Sequence, residues 1–251
     1  MTYVSRTIKS KWLKTKWLLE HRELSKYVPH TTLFNKSNLD MMLSRYSTVY
    51  FKPTEGTGGF GIIRIDTNEN GYHTQYNSEK NQFSTTEGLF QHLFLFANDY
   101  SFILQKGIDL TKVNNNPFDV RVMVQKTNKG SWVSSAVSVK IGQSGKVVTN
   151  YHQGGKLAFF HETMLGAGFD AYTTENIDGL LQNIGVTTGE HFEHYYNDFK
   201  ELALDVAIDS TGYPWILEVN TRPQIAPLKT LNDQTLYHRA LSYAKQYGRT
   251  K

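Results

Sequence analysis

Residues 202–220, LALDVAIDSTGYPWILEVN, set carboxylates into an apolar pattern where they invite a cation. Two β-rich runs, LALDVAID and WILEVN, flank Ser210-Thr211-Gly212-Tyr213, which reads as a hairpin turn with glycine at a positive-φ position. With Thr211 and Gly212 as the two loop residues, Asp205 stands across from Glu218, and Asn220 lies on the same face two residues on. Like charges opposed on a half-buried ribbon are destabilising unless something positive lies between them. Oxygens of Asp, Glu and Asn are the donors a hard cation such as Mg²⁺ takes. The alternative is that these carboxylates line the solvated face of an ordinary hairpin.

A second stretch with chemical potential is Glu55-Gly56-Thr57-Gly58-Gly59-Phe60-Gly61, preceded by Lys52 and followed at once by IIRI. Gly56, Gly58 and Gly61 match G-x-G-x-x-G. A dinucleotide loop must open a helix, and Ile62 to Ile65 is β-branched and strand-like, so that reading fails on context. A Walker loop needs G-K-S or G-K-T, which is absent, and a protein kinase needs H-R-D and D-F-G motifs, also absent. Two readings survive. One is a strand-loop-strand flap whose bare amides close over phosphates with Lys52 at its base; the other is a glycine-rich hairpin with no ligand.

Elements must hold these residues in place. Residues 8–28 put Trp12, Leu13, Trp17, Leu19 or Leu24 and Val28 at helical spacing among six lysines and arginines, a basic helix that packs on the domain or lies on a membrane or nucleic acid. Asn38–Tyr46 predicts a helix, STVYFKP a strand stopped by Pro53, Thr85–Asn98 a buried helix, and SFILQKGI a strand running into a connector. FDVRVMVQ and WVSSAVSVKIG alternate as an antiparallel pair that carries Asp119, Arg121 and Lys140 among apolar neighbours. A helix follows within 174–204, and Gln234–Tyr247 reads as another. His191 and His194 read as surface residues, and no histidine has convincing metal spacing.

Composition bounds the function without choosing it. The 251 residues can bury a sizeable core, and the formal charge of +4 suits an anionic small ligand as well as nucleic acid. There is no apolar run near the roughly 20 residues a membrane span needs, and no signal-type segment follows Met1. The absence of cysteine excludes disulfides, thiolate metal sites and a cysteine nucleophile. A cytoplasmic location is the expectation.

Taken in order, Lys52-Pro53, the glycine-rich flap, Gln105-Lys106-Gly107-Ile108, Asp119-x-Arg121, Asn150 with Gly154-Gly155, and Asp205…Glu218-x-Asn220 resemble the ATP-grasp superfamily from about residue 12 to residue 224. The phrases YVPHTTLF, VYFKPTEGTGGFGI, FDVRVMVQK and WILEVNTRP are most similar to the YheC/YheD endospore-associated ATP-grasp family. The resemblance implies an α+β ATP-grasp fold of two lobes clasping ATP, without the usual N-terminal substrate lobe. The division it implies is a basic helix over 1–30, a small lobe over 31–107 and a large lobe over 108–251. Lys52 would contact phosphates, and Lys16, or else Lys14, would supply a second cation. Gly56, Thr57, Gly58, Gly59, Phe60 and Gly61 would cover the phosphates, while Gln105, Lys106 and Ile108 would hold adenine. Asp205, Glu218 and Asn220 would hold one or two Mg²⁺ ions.

The implied chemistry is transfer of the γ-phosphate to a carboxylate, giving an acylphosphate that an amine attacks. The substrates would be small-molecule or peptide acids and amines, the acid arriving between the lobes or on a partner protein. The sequence departs from the ligase pattern at Ala203, where many ligases carry arginine, and at Asn220-Thr221-Arg222-Pro223-Gln224, where N-[ST]-x-P-G is usual. Arg121, Lys140 or Arg222 would then steady the acylphosphate. Kinase-like phosphoryl transfer and a catalytically silent nucleotide-binding protein of the spore-coat type are the alternatives. Nucleic-acid binding is not expected, and would betray itself by weakening steeply with salt. Spore association is a further implication of the resemblance.

Overall fold

A computed structural model describes residues 3–56, 58–143 and 155–249. Strands β1 (Thr31–Leu33), β2 (Thr48–Pro53), β3 (Ile63–Asn68), β4 (Gly71–Tyr76), β5 (Glu79–Phe83) and β6 (Phe102–Lys106) form one antiparallel sheet in the order β1-β6-β2-β3-β4-β5. Alternation sends Val49, Phe51, Ile63 and Ile65 to one face, where α2 (Lys36–Arg45) and α3 (Thr86–Ala97) bury Leu39, Met42, Leu89 and Leu93 against them. Thr85 caps α3 by accepting from the Gly88 amide, and Asn98 ends it in the left-handed conformation (φ 43°).

The second sheet contains β7 (Lys112–Val113), β8 (Asn116–Lys126), β9 (Trp132–Ile141), β10 (Lys156–Phe159), β11 (Glu201–Ile208) and β12 (Pro214–Asn220). Its order is β10-β9-β8-β11-β12, with β7 paired to β8. One face carries Val120, Val122, Val124, Leu202, Leu204, Val206 and Ile208, all fully buried together with α4 (Phe160–Gly166) and α5 (Ala171–Glu193). Two glycines let α5 lie this close: a Cβ at Gly185 would meet Val124 at 2.7 Å, and one at Gly189 would meet Trp132 at 2.6 Å. The opposite face is divided. Part is covered by α6 (Thr235–Gln246), where Ala240 and Ala244 pack with Met123 and Ala136; the rest, bearing Asp119, Arg121 and Asp205, faces a cleft toward the first sheet.

Three features differ from the sequence reading. The long basic helix is shorter: α1 spans Lys11–Glu20, His21 breaks it with extended backbone (ψ 120°), and a short 3-10 turn follows at Leu24–Tyr27. Strands β4 and β5 are not expected from the sequence: β5 is almost wholly exposed, and β4 alternates only through Tyr72, Thr74 and Tyr76, of which Thr74 alone is buried. The hairpin turn has three loop residues rather than two, because the Asp209 amide pairs with Tyr213 O (3.1 Å) and the Asp209 carboxylate collects the Thr211 and Tyr213 amides at 2.9 and 3.1 Å. A β-bulge at Leu217 then offsets the extra residue, so Asp205 still pairs with Glu218.

Candidate functional site

The cleft between the two sheets has a volume of about 560 Å³. Its ceiling is a cross-strand row on the first sheet, with Gln105, Tyr50, Arg64 and Gln75 in successive register. Its back is the connector Lys106–Asp109, and its floor is the polar face of the second sheet. Six cationic side chains line it (Lys11, Lys52, Arg64, Lys106, Lys112 and Lys140) against four carboxylates (Asp109, Asp119, Asp205 and Glu218), a balance that favours an anionic ligand. A narrower arm continues beneath the glycine-rich loop, bounded by Lys11, Gly56, Gly58, Gly59, Phe60, Arg121, Asp205, Glu218 and Asn220.

The loop joins β2 to β3 as a strand-loop-strand flap. Gly58 and Gly59 take φ of 72° and 75°, a backbone that side-chain-bearing residues avoid, and Phe60 is 68% exposed. Thr57 lies outside the described residues, as do Asn150 and Gly154.

Charge is concentrated on the floor. Arg121 donates to both Asp205 oxygens, from Nε at 2.9 Å and Nη2 at 3.0 Å, and Asn220 Nδ2 donates to Asp205 Oδ2 at 3.2 Å. Lys140 Nζ lies 2.8 Å from Asp119 and 3.2 Å from Asp205. Burial by itself would raise the pKa of Asp205, but Arg121 and Lys140 outweigh it and hold the carboxyl well below the usual carboxylate range. Burial likewise opposes charge on Lys140, and Asp119 and Asp205 more than compensate, raising its pKa. The Asp205 charge also raises the pKa of Arg121.

The ceiling contributes Lys52, whose Nζ donates to Gln105 Oε1 at 2.5 Å. Burial brings its pKa down to about 8 despite the attraction of Glu218. The buried Gln105 side chain is therefore committed to Lys52 and, through Nε2, to Thr31 Oγ1 at 3.2 Å, and the Lys106 and Gly107 amides donate to His30 O and Thr48 O at 2.8 and 2.9 Å. Lys106 Nζ sits 4.8 Å from the Trp215 ring centroid and 5.6 Å from that of Tyr46, while Ile108 lines the cleft.

Helix α1 presents Lys11 and Lys14 to Glu218 Oε1, at 3.7 and 3.6 Å. Burial lowers the pKa of Lys14. Lys16 is exposed on another face of the helix and is not among the residues lining the cleft. Sequence reasoning passed over Lys11, although Lys11, Lys14, Trp17 and Leu18 form one i, i+3, i+4 stripe whose apolar end enters the core. Arg222 is exposed beyond β12, outside the lining of the cleft. His191 is half-buried, its Nε2 2.7 Å from Trp17 O, so it helps seat α1 rather than standing free on the surface.

Asp205, Glu218 and Asn220 carry the oxygens a hard divalent cation takes, the two carboxylates in direct cross-strand register, while here Arg121, Lys140 and the Asn220 amide occupy Asp205 and two lysines face Glu218.

Two sheets clasping a cationic cleft under a glycine-rich flap define an ATP-grasp fold. Solved structures agree on that fold. D-cycloserine synthetase DcsG has a TM-score of 0.56 at 15% identity, over 95% of this chain and 70% of that one. The VanG D-Ala:D-Ser ligase of Enterococcus faecalis has a TM-score of 0.56 at 15% identity, over 94% and 61%. The YheC/D-like ATP-grasp family model matches residues 1–250, and the chain belongs to that family. The endospore coat-associated protein YheD of Bacillus subtilis (strain 168) is 24% identical over 227 residues, covering 88% of this chain. The chain spans 49% of the length of that relative. Among the described residues, no helix is long and apolar enough to cross a membrane.

Proposed function

We propose that this chain is an ATP- and Mg²⁺-dependent ligase that joins a carboxylate to an amine through an acylphosphate. The observation that carries the reading is the convergence of Lys11, Lys14, Arg121 and Lys140 on the Asp205–Glu218 pair beneath the flap, with Lys52 lining the same cleft. Fold relatives that are themselves ligases, a D-cycloserine synthetase and a D-Ala:D-Ser ligase, support the class.

In this reading the nucleoside lies under Tyr50 and Arg64 against the backbone of residues 105–108, and Lys52, Lys11 and Lys14 bind the phosphates. The flap amides from Gly56 to Gly61 close over the phosphates and exclude water. Asp205, Glu218 and Asn220 hold the metal, which supplies charge neutralisation to the phosphate oxygens. Arg121 and Lys140 hold the developing acylphosphate and the acid that accepts it. Catalysis then consists of positioning and electrostatics, with no nucleophile from the chain. The acid and amine are small molecules or peptides, and kinship with a coat-associated protein supports action at or near the spore coat.

The test is ADP release from Mg-ATP by purified protein, with and without a pool of amino acids and small peptides, beside Glu218→Ala. ADP formed when acid and amine are both present, and lost in the variant, supports the ligase. Tight ATP binding without turnover in any mixture overturns it in favour of a nucleotide-binding structural protein. ADP with a phosphorylated product and no amide favours kinase-like transfer.

A further inference from the structure

The segment before α1 is fastened at successive points to β11, to the residues just before it and after β12, and to the turn that follows α6. The Tyr3 amide donates to Gly248 O at 3.2 Å, and the Tyr3 hydroxyl accepts from the Lys200 amide at 3.1 Å. The Ser5 hydroxyl donates to Glu201, a fully buried carboxylate that also accepts from Tyr247 at 2.8 Å and Arg249 at 2.5 Å. Arg6 grips Asp198 with Nε at 3.0 Å and Nη2 at 2.8 Å. The Ile8 amide then donates to the buried Thr221 hydroxyl at 2.9 Å. Glu201 opens β11 and Thr221 follows β12, so the segment crosses the open end of the hairpin that carries Asp205, Glu218 and Asn220.

Only Lys9 and Ser10 separate Ile8 from Lys11. Its amide donates to Thr54 O at 2.6 Å and its Nζ to Gly56 O at 2.8 Å, both at the base of the flap. The exposed Arg6–Asp198 pair holds little, because water competes for both ions. The Ser5–Glu201 and Ile8–Thr221 contacts are sheltered, and their loss would strand buried polar groups. Trp17, Leu18 and the His191 contact seat the far end of α1 in the core, while the two sheltered contacts hold the chain that enters its first turn, where Lys11 and Lys14 stand.

We infer that residues 3–10 act as a strap, latched at Ser5–Glu201 and Ile8–Thr221, that sets where Lys11 and Lys14 stand in the cleft; Thr221 and Glu201 are thereby positioning residues for phosphate binding. The inference rests on the cleft being a nucleotide site. It is tested with Thr221→Val, Thr221→Ser and Ser5→Ala in the whole chain, measuring ATP affinity by calorimetry and adenosine affinity by competition, with thermal melts to verify folding. Thr221→Val should raise the Kd for ATP about five- to tenfold, the equivalent of one sheltered hydrogen bond, and leave adenosine within about twofold. Thr221→Ser should restore the wild-type value, and Ser5→Ala should shift ATP in the same direction. Equal weakening of ATP and adenosine, or no change in either while the wild type binds ATP, overturns the strap alone. A wild type that binds no nucleotide overturns the nucleotide site as well.

Discussion

Arg121 on β8 and Asp205 on β11 stand opposite each other in register and share two hydrogen bonds, of 2.9 and 3.0 Å. Lys140, from the next strand, completes the neutralisation of Asp205 at 3.2 Å. Removing the carboxylate would strip Arg121 of its hydrogen-bonding partner beside a Lys140 that keeps only Asp119, at 2.8 Å, whereas removing Arg121 would leave Asp205 still paired with Lys140. Asp205→Ala should therefore cost more stability than Arg121→Ala, about 3 kcal/mol as judged by denaturant unfolding. Added sulfate or triphosphate should recover more stability in Asp205→Ala than in the wild type, because an anion then replaces the missing charge. Equal stabilisation of both proteins would show that Asp205 does not carry this balance.

Lys52 gives the cleft a pH dependence whose sign can be worked out. Burial brings its pKa to about 8, below the ordinary 10.5. A bound phosphate favours the ammonium form and raises the pKa again, so above pH 8 binding must take up a proton. ATP affinity should fall as pH rises through about 8, by up to tenfold per unit, with proton uptake visible when calorimetry is repeated in buffers of different ionisation enthalpy. The ligand-free protein should behave oppositely. Its unfolded chain holds more protons than the folded one between about 8 and 10.5, so the Lys52 contribution to stability rises across that window. Lys52→Arg, which stays charged, should flatten both profiles. A wild-type affinity that is level from pH 7 to 9 would remove Lys52 from the phosphate site.

Much of this site could be read from residue types and spacing, and the failures have physical causes. Cross-strand counting paired Asp205 with Glu218 correctly even though the turn was misjudged, since the third loop residue and the bulge at Leu217 cancel. No sequence signal distinguishes that combination from a two-residue turn. The flap was legible because its glycines require a backbone that other residues resist, and the following β-branched run forbids a helix. Among the lysines of α1, the resemblance offered Lys16 or else Lys14; helix phase, with Trp17 and Leu18 entering the core, turns Lys11 and Lys14 toward Glu218 and Lys16 outward. Strand β5 is almost wholly exposed, and β4 offered only the weak alternation of Tyr72, Thr74 and Tyr76, whose tyrosine rings pack half-buried on the core of the first sheet. The anchoring of residues 3–10 was equally silent, since it depends on single polar contacts with residues nearly 200 positions away.

Asp209 separates the turn from the bulge experimentally. Its carboxylate accepts from the Thr211 amide and hydroxyl at 2.9 and 2.7 Å, from the Tyr213 amide at 3.1 Å and from Trp215 Nε1 at 2.9 Å. Burial raises the pKa of Asp209, but these donors outweigh it and the net shift is downward. The stabilisation is therefore present above the ordinary carboxylate range and lost as pH falls through the depressed value. Asp209→Ala should cost about 2 kcal/mol at neutral pH, a fall in Tm of roughly 4–8 °C for a chain of this size, and the deficit should shrink in acid. ATP affinity should stay within about twofold, because the pairs that hold Asp205 to Glu218 and to Arg121 lie beyond the bulge and do not depend on the loop. A collapse of ATP affinity in Asp209→Ala would instead mean that the loop, and not the bulge with its neighbouring strand, fixes the register of the carboxylates.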